Sequence, residues 1–362
     1  MDTFKCFGCG ATLQNTDDKK PGYVPLKVID HDGILCQRCF KLTHYHQNLE
    51  SHMSDRDYLT ILDQISETNA LVVYIVDLFD FNGSLIPGIM RHINYNDTLV
   101  LANKRDLLPK SLNDNRIENW VRHQLNLEGV KVKDVIITSA KKAYQFDTIF
   151  DAIDEIRRGR DVYVVGMSNV GKSTFINALL KHYSDETRAI TVSEFPGTTL
   201  DLIRIPFDEQ SSLYDTPGII NAHSMTQIVD DQQLKLLIPQ VEIRPITYQL
   251  NSSQSLYFEG FARFDYLKGE KKGINCYISK RIKIHRCKLE KADALYNNHQ
   301  QLKETIDQIE TIDQMKTIQF TIKSGKKEIA IAGLGFISLK GPATIAIKVP
   351  RSVDVIIRDC LI

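Results

Sequence analysis

The chain has 362 residues, 43% of them hydrophobic and 25% charged, the balance of a soluble globular protein long enough for two or three domains. Lys plus Arg and Asp plus Glu are 45 each, which excludes a bulk electrostatic attraction to nucleic acid or lipid and leaves only a local footprint. The strongly apolar runs, such as 71–76, are too short to span a bilayer, and MDTFKCFGCG lacks an apolar stretch of signal-peptide length. A cytoplasmic protein is expected, with its seven cysteines as thiols or metal ligands rather than disulfides.

Residues 1–50 carry Cys6-x-x-Cys9 and Cys36-x-x-Cys39, separated by 26 residues. Two-residue spacing lets both thiolates of a pair reach one ion, and two pairs complete a tetrahedron, so a structural Zn²⁺ is expected. His44 and His46 are alternative ligands or surface residues; four unrelated thiols is the competing reading. So small a segment would lean on the metal to fold.

Residues 51–68 read as a helical lead-in with Tyr58, Leu59, Ile61, Leu62 and Ile65 on one side. Buried strands are predicted at 70–77, 98–102 and 133–138, with helices at 84–92, 113–125 and 146–157 between and after them. Alternation of this kind predicts a doubly wound, mainly parallel sheet. The second strand delivers Asn103-Lys104-Arg105-Asp106 and the third delivers Ser139-Ala140-Lys141. A carboxylate at Asp106 can accept from both the N1–H and the exocyclic amine of guanine, donors that adenine does not offer in that geometry. Asn103 can bond the base edge, the Lys104 stem can cover the ring, and the 139–141 backbone can donate to the guanine O6. Alone, N-K-x-D is as easily a charged surface turn.

A further strand, 161–165, leads into Gly166-Met167-Ser168-Asn169-Val170-Gly171-Lys172-Ser173, and Thr174 opens a helix. This is the G-x-x-x-x-G-K-[ST] phosphate loop in its proper strand–loop–helix setting. Its amides and the helix N-terminus face an anion, Lys172 reaches the β- and γ-phosphates, and Ser173 gives its hydroxyl to Mg²⁺. Phe195-Pro196-Gly197-Thr198-Thr199 follows, and Thr198 or Thr199 is expected to join Ser173 on Mg²⁺. Paired strands at 200–206 and 211–214 precede Asp215-Thr216-Pro217-Gly218, with Asp215 near Mg²⁺ and the Gly218 N–H on the γ-phosphate.

Beyond 221 the pattern changes. A helix is expected at 223–237, an extended run at 239–250, a helical run at 285–316 and a compact β-rich module at 317–361. Ten cations and three acids lie between residues 263 and 291, among them Lys271, Lys272, Arg281 and Lys283, with Tyr257, Phe258, Phe261, Phe264, Tyr266 and Tyr277 in or near the run. Cations with interleaved rings suit a nucleic-acid surface. Equally, the rings can be strand core and the lysines its solvated face. Cys276, Cys287 and Cys360 have no ligand spacing.

The five nucleotide motifs are those of a TRAFAC-class GTPase, but N-K-x-D and S-A-K precede the P-loop instead of following it. A permuted GTPase behind a C-x₂-C-G…C-x-R-C module resembles the YqeH family of ribosome-biogenesis GTPases. The resemblance covers nearly the whole chain. It implies a circularly permuted P-loop GTPase domain at 51–222, a zinc knuckle at 1–50, and a C-terminal α+β, β-rich RNA- or ribosome-binding module at 223–362. It implies GTP hydrolysis, action on the small ribosomal subunit, and binding to ribosomal RNA or assembly intermediates. A nucleotide-gated switch for a protein or membrane surface is the alternative, and a zinc RNA-binding scaffold without meaningful turnover a third reading. Ile219 stands where Ras-like GTPases carry the glutamine that orients water, which implies slow intrinsic hydrolysis. Asn169 resembles the asparagine that holds K⁺ in cation-dependent members of the class; a residue that merely tolerates a turn is the other reading. Lys172, Asn169 and Gly218 are thus the expected catalytic groups.

Overall fold

The computed structural model describes residues 13–16, 22–24, 55–184, 203–206, 208, 210–298 and 314–362. Cys6, Cys9, Cys36, Cys39, His44, His46, Thr198 and Thr199 lie outside the described residues.

Helix α1, Asp55–Ser66, buries Tyr58, Ile61, Leu62 and Ile65 at helical spacing. Strand β1, Leu71–Asp77, is buried along its whole length, as a central strand covered on both faces must be. The helix expected at 84–92 does not form. A 3₁₀ turn at Asn82–Ser84 is followed by a four-residue α2, Met90–Ile93, because Pro87 lacks an N–H and Gly88 takes φ 68°. Then come β2 (Thr98–Asn103), α3 (Asp114–Leu127), β3 (Asp134–Ile137), α4 (Phe146–Arg157), β4 (Val162–Val165), α5 (Lys172–Ser184), β5 (Ile203–Pro206) and β6 (Ser212–Asp215). The six strands form one sheet in the order β3-β2-β1-β4-β6-β5. Pairs β1/β4 and β4/β6 are parallel, and β5 closes the edge antiparallel to β6, so the sheet is doubly wound and mainly parallel as expected. N-K-x-D, S-A-K, the P-loop and D-T-P-G follow the carboxyl ends of β2, β3, β4 and β6.

Residues 223–237 form a 3₁₀ turn at Met225–Gln227 and are α-helical only at α6, Asp231–Leu237, which Asp230 starts with a full capping box on Gln233. Ten further strands follow: β7 (Ile246–Leu250), β8 (Gln254–Phe258), β9 (Ala262–Lys268), β10 (Lys272–Ile278), β11 (Ile284–Lys288), then α7 (Ala292–Asn298), β12 (Lys316–Ile322), β13 (Lys326–Ile331), β14 (Gly335–Lys340), β15 (Ala343–Val349) and β16 (Val355–Asp359). They make two antiparallel five-stranded sheets, β16-β13-β14-β10-β7 and β11-β8-β9-β15-β12. One apolar core fills the space between them, with Phe258, Phe264 and Ile345 from one sheet meeting Ile274, Ile329 and Ile337 from the other. Two expectations are corrected here. The helical run expected from 285 begins as strand β11, paired with β8 from Ile284↔Phe258 to Lys288↔Gln254; a 3₁₀ turn at Leu289–Lys291 and α7 follow, and 299–313 lie outside the described residues. Residues 317–361 are not a module of their own, since β10 pairs with β14 and β9 with β15.

By contact density the chain divides into two compact units. One comprises the described residues of Met1–Ile75, Ile86–Leu101 and Leu125–Ile219; the other comprises Val76–Leu85, Ala102–Gln124 and Ile220–Ile362. The second unit therefore holds the β-sandwich together with the segments that follow β1 and β2. Trp120 Nε1 donates to the Asp359 carbonyl at 2.9 Å, and the Arg358 guanidinium lies 4.9 Å over the Trp120 ring. Ile243 N–H donates to the Leu107 carbonyl at 2.8 Å.

Candidate functional site

The phosphate loop occupies the turn between β4 and α5, whose thirteen residues give a full N-terminal field. Gly166 is required there: a Cβ would stand 2.6 Å from the Ile75 carbonyl oxygen. Asn169 sits at φ 64°, a left-handed conformation that asparagine tolerates, with its side chain exposed. Lys172 is 7% exposed, and its Nζ donates to the carbonyls of Gly166 at 2.9 Å and Met167 at 3.1 Å. Ser173 and Thr174 are exposed on the first turn of α5, while Val170 is buried.

D-T-P-G lies against this loop. Ser168 N–H donates to the Ile219 carbonyl at 2.6 Å, and Met167 and Ile219 form a parallel bridge. The Ser168 amide is thus engaged with the backbone, and the buried Ile219 offers no polar side chain to orient water. A Cβ at Gly218 would meet Lys172 Nζ and the Ser168 Cα, each at 2.9 Å. Thr216 Oγ1 donates to the Val164 carbonyl at 2.8 Å, tying the segment to β4.

Two titratable groups here are perturbed in opposite senses. Burial lowers Lys172 to about 8, opposed by the charge of Asp215. Burial raises Asp215 to about 6, opposed by Lys172. Asp215 Oδ1 is buried without a hydrogen-bond partner. An orphaned carboxylate oxygen close to a phosphate loop has the chemistry of a hard-cation ligand, so the residues present fit Mg²⁺.

The base-recognition residues are equally placed by strand ends. Asn103 ends β2 and is 3% exposed; Lys104 adopts φ 67°, and Asp106 lies in the 3₁₀ turn Arg105–Leu107. Lys104 Nζ bonds Asp77 Oδ2 at 2.6 Å. In the first unit, Ser139 and Ala140 are buried after β3 and Lys141 is exposed.

Sequence reasoning passed over two neighbours of these motifs. Tyr58 on α1 is 2% exposed, and its hydroxyl lies beside Thr216, the Gly166 backbone and Asp215 without a well-formed hydrogen bond. Burial raises it to about 12, so it stays a neutral donor. Asp77 is the acidic last residue of β1, and a charge closing a wholly apolar strand is the signal that marks it.

The cationic stretch divides cleanly. Tyr257, Phe258, Phe261, Phe264, Tyr266 and Tyr277 are all 3% exposed or less. Phe258, Phe261, Phe264 and Tyr266 are sandwich core, Tyr257 packs with Ala292 and Met315, and Tyr277 stacks on Phe336, so the expectation that these rings stack on bases is corrected. Arg263 is also interior, paired with Asp265 at 3.0 Å and Asp293 at 2.8 Å. Lys271, Arg281 and Lys283 are exposed and Lys272 half-buried. Lys272 Nζ donates to the carbonyls of Lys340 and Pro342, and Arg281 Nη1 donates to the Lys235 carbonyl at 2.8 Å.

The lowered Lys172 carries a pH dependence. A bound triphosphate holds the ammonium protonated, while free Lys172 loses its proton at about pH 8. Above that pH binding must take up a proton. GTP affinity is expected to weaken there by up to about tenfold per pH unit, with proton uptake visible by calorimetry in buffers of different ionisation enthalpy. An affinity that stays level through that range contradicts the assignment.

Among the described residues no helix is long and apolar enough to cross a membrane. Residues 161–256 match the family model described as 50S ribosome-binding GTPase, and residues 271–361 match YqeH-like, C-terminal. The chain is 44% identical over 366 residues to YqeH of Bacillus subtilis (strain 168), covering 100% of both chains. It is 29% identical over 426 residues to NO-associated protein 1, chloroplastic/mitochondrial, of Arabidopsis thaliana, covering 98% of this chain and 76% of that one. The solved structure of GNP-bound YlqF from T. maritima overlaps 49% of this chain and 71% of its own, at 18% identity and a TM-score of 0.30. With base-recognition motifs ahead of its phosphate loop and a match along its full length, the chain is a GTP hydrolase and belongs to the YqeH family of circularly permuted GTPases.

Proposed function

We propose that this GTPase acts in the cytoplasm on assembly of the small ribosomal subunit, binding ribosomal RNA or an assembly intermediate in a nucleotide-dependent way. One observation carries the reading: the chain that leaves the γ-phosphate motif at Gly218 continues into a β-sandwich whose stretch from β9 to β11 carries exposed cations, Lys271, Arg281 and Lys283 among them. Because the aromatic rings are interior, recognition rests on phosphate contacts rather than base stacking. The division at 1–50, 51–222 and 223–362 is then one of metal-bound module, nucleotide site and RNA-binding module.

In the nucleotide site, Asn103, Lys104 and Asp106 with Ser139, Ala140 and Lys141 hold guanine. Gly166, Ser168, Asn169, Val170, Gly171, Lys172, Ser173 and Thr174 cradle the phosphates. Ser173, Asp215 and one of Thr198 or Thr199 would hold Mg²⁺, which would supply charge neutralisation at the phosphates. Water attacks the γ-phosphate in line; Lys172, the loop amides and the Gly218 N–H stabilise the charge that develops. Asn169 would hold a K⁺, which would offset the same charge, and Cys6, Cys9, Cys36 and Cys39 would hold Zn²⁺. Two measurements on purified protein check the metals. Metal analysis is expected to find about one Zn²⁺ per chain, reduced by Cys6→Ser, and none would remove the knuckle. Hydrolysis is expected to run faster in K⁺ than in Na⁺, with Asn169→Ala erasing the difference; equal rates count against the ion.

The function itself is tested by sedimenting the protein with ribosomal particles, with GDP and with a non-hydrolysable GTP analogue. The expected result is RNase-sensitive co-sedimentation with small-subunit particles that differs between the two nucleotides. Reversing Lys271, Lys272, Arg281 and Lys283 to Glu is expected to weaken it and flatten its salt dependence, by up to roughly 0.7–0.9 in log–log slope per lost contact. Association with large-subunit particles alone overturns the small-subunit reading, and RNase-insensitive capture favours a protein or membrane partner.

A further inference from the structure

The segment Asp77-Leu78-Phe79-Asp80 begins at the last residue of β1, and no role in the site has yet been given to it. Its two acids are placed differently. Asp77 is 6% exposed; Oδ1 accepts from the Phe79 N–H at 2.8 Å and Oδ2 from Lys104 Nζ at 2.6 Å. Both carboxylate oxygens are therefore used, one to hold the carboxylate rigid and one to hold the lysine. Asp80 Oδ2 accepts from the Gly333 N–H of the sandwich at 3.0 Å. Burial first, and then the charge of Asp77, raise Asp80 to about 7.

The segment is pinned along its length by the sandwich and by the chain leaving D-T-P-G. Arg358 Nη1 donates to Asn82 Oδ1 at 2.7 Å, and Arg358 is itself buried against Glu328 with Nε–Oε2 at 3.1 Å. Asn221 Nδ2 donates to the Gly83 carbonyl at 2.8 Å. Phe81 packs edge-on to Trp120 with ring centroids 5.0 Å apart. Leu78 N–H donates to the Asn103 carbonyl at 3.0 Å, which registers the segment directly on the N-K-x-D backbone.

We propose that Asp77 is a positioning residue for base recognition: it fixes the Lys104 ammonium so that the lysine stem is held ready to cover the guanine ring. A lysine has several soft torsions, and ordering them on binding costs affinity. An ion pair formed before the nucleotide arrives removes that cost. Asp77 touches no nucleotide atom in this account; it acts through Lys104. The pinning by Asp80, Asn82 and Gly83 keeps the carboxylate in place, so the β-sandwich supports the guanine site.

This inference rests on the guanine-recognition reading of N-K-x-D. The test is a double-mutant cycle in full-length protein, reading GDP affinity and dissociation rate with a fluorescent GDP. Asp77→Asn preserves shape and the acceptor for Phe79 but removes the charge. It is expected to weaken GDP by about tenfold, mainly through faster dissociation, with little change in melting temperature. Lys104→Ala is expected to weaken it similarly, and the double variant to be no worse than either single one, because the two act as a unit. Asp77→Glu is expected to restore part of the loss. Wild-type affinity in Asp77→Asn, or additive losses in the double variant, overturns the proposal. Asp106→Asn serves as the control. If it moves preference to xanthine while the cycle is additive, only the role of Asp77 fails; if it leaves guanine preference intact, the base-site reading fails first.

Discussion

Asp106→Asn is expected to abolish the preference for guanine nucleotides and to create one for xanthine nucleotides. A carboxylate can accept from N1–H and the exocyclic amine of guanine; an amide presents a donor where guanine has a donor. Xanthine carries a carbonyl at that carbon and restores the match. A polar site rejects an analogue that leaves its groups unpaired by about 10⁴-fold or more, so the reversal is large. Asp106 lies in a short 3₁₀ turn after a fully buried strand. Competition binding of GTP and XTP measures it directly, and equal GTP affinity in wild type and variant removes Asp106 from the site.

Gly218→Ala is expected to separate binding from hydrolysis. The new Cβ would come 2.9 Å from both Lys172 Nζ and the Ser168 Cα. The ammonium can move away. The Ser168 backbone cannot, because its N–H is bonded to the Ile219 carbonyl at 2.6 Å. The strain therefore falls on D-T-P-G and displaces the amide proposed to meet the γ-phosphate. Losing one such donor costs about 10²–10³ in rate. GDP, which has no γ-phosphate, is expected to bind within a few fold of wild type. Single-turnover GTP hydrolysis alongside GDP titration tests both halves; a normal rate, or an equal loss of GDP binding, contradicts the geometry.

The sequence by itself determined where N-K-x-D, S-A-K, the phosphate loop and D-T-P-G lie and the strand that precedes each of them. The reason is locality: a phosphate loop is eight consecutive residues with a glycine at each end of the turn, and its helix begins at the next position. Buried parallel strands are continuous apolar runs, so β1, β2, β4 and β6 were readable to within a residue or two. Motif order along the chain was enough to identify the permutation. Helix boundaries failed where a local feature competed with periodicity, as Pro87 and Gly88 did at 84–92.

Tertiary structure alone decided the sandwich. Its strands share one alternating pattern, and nothing within β10 or β14 states that they pair across about sixty residues of chain. Alternation also leaves open which side of a strand faces a core, so the six aromatic residues could equally have lain outward; a second sheet packed over Phe258, Phe261, Phe264 and Tyr266 put them inside, while Tyr257 packs with Ala292 and Met315 and Tyr277 stacks on Phe336. The same limit hid Asp77. An ion pair between residues 27 apart depends on two neighbouring strands ending side by side, and the registry of those ends is set by packing rather than by either segment's own sequence.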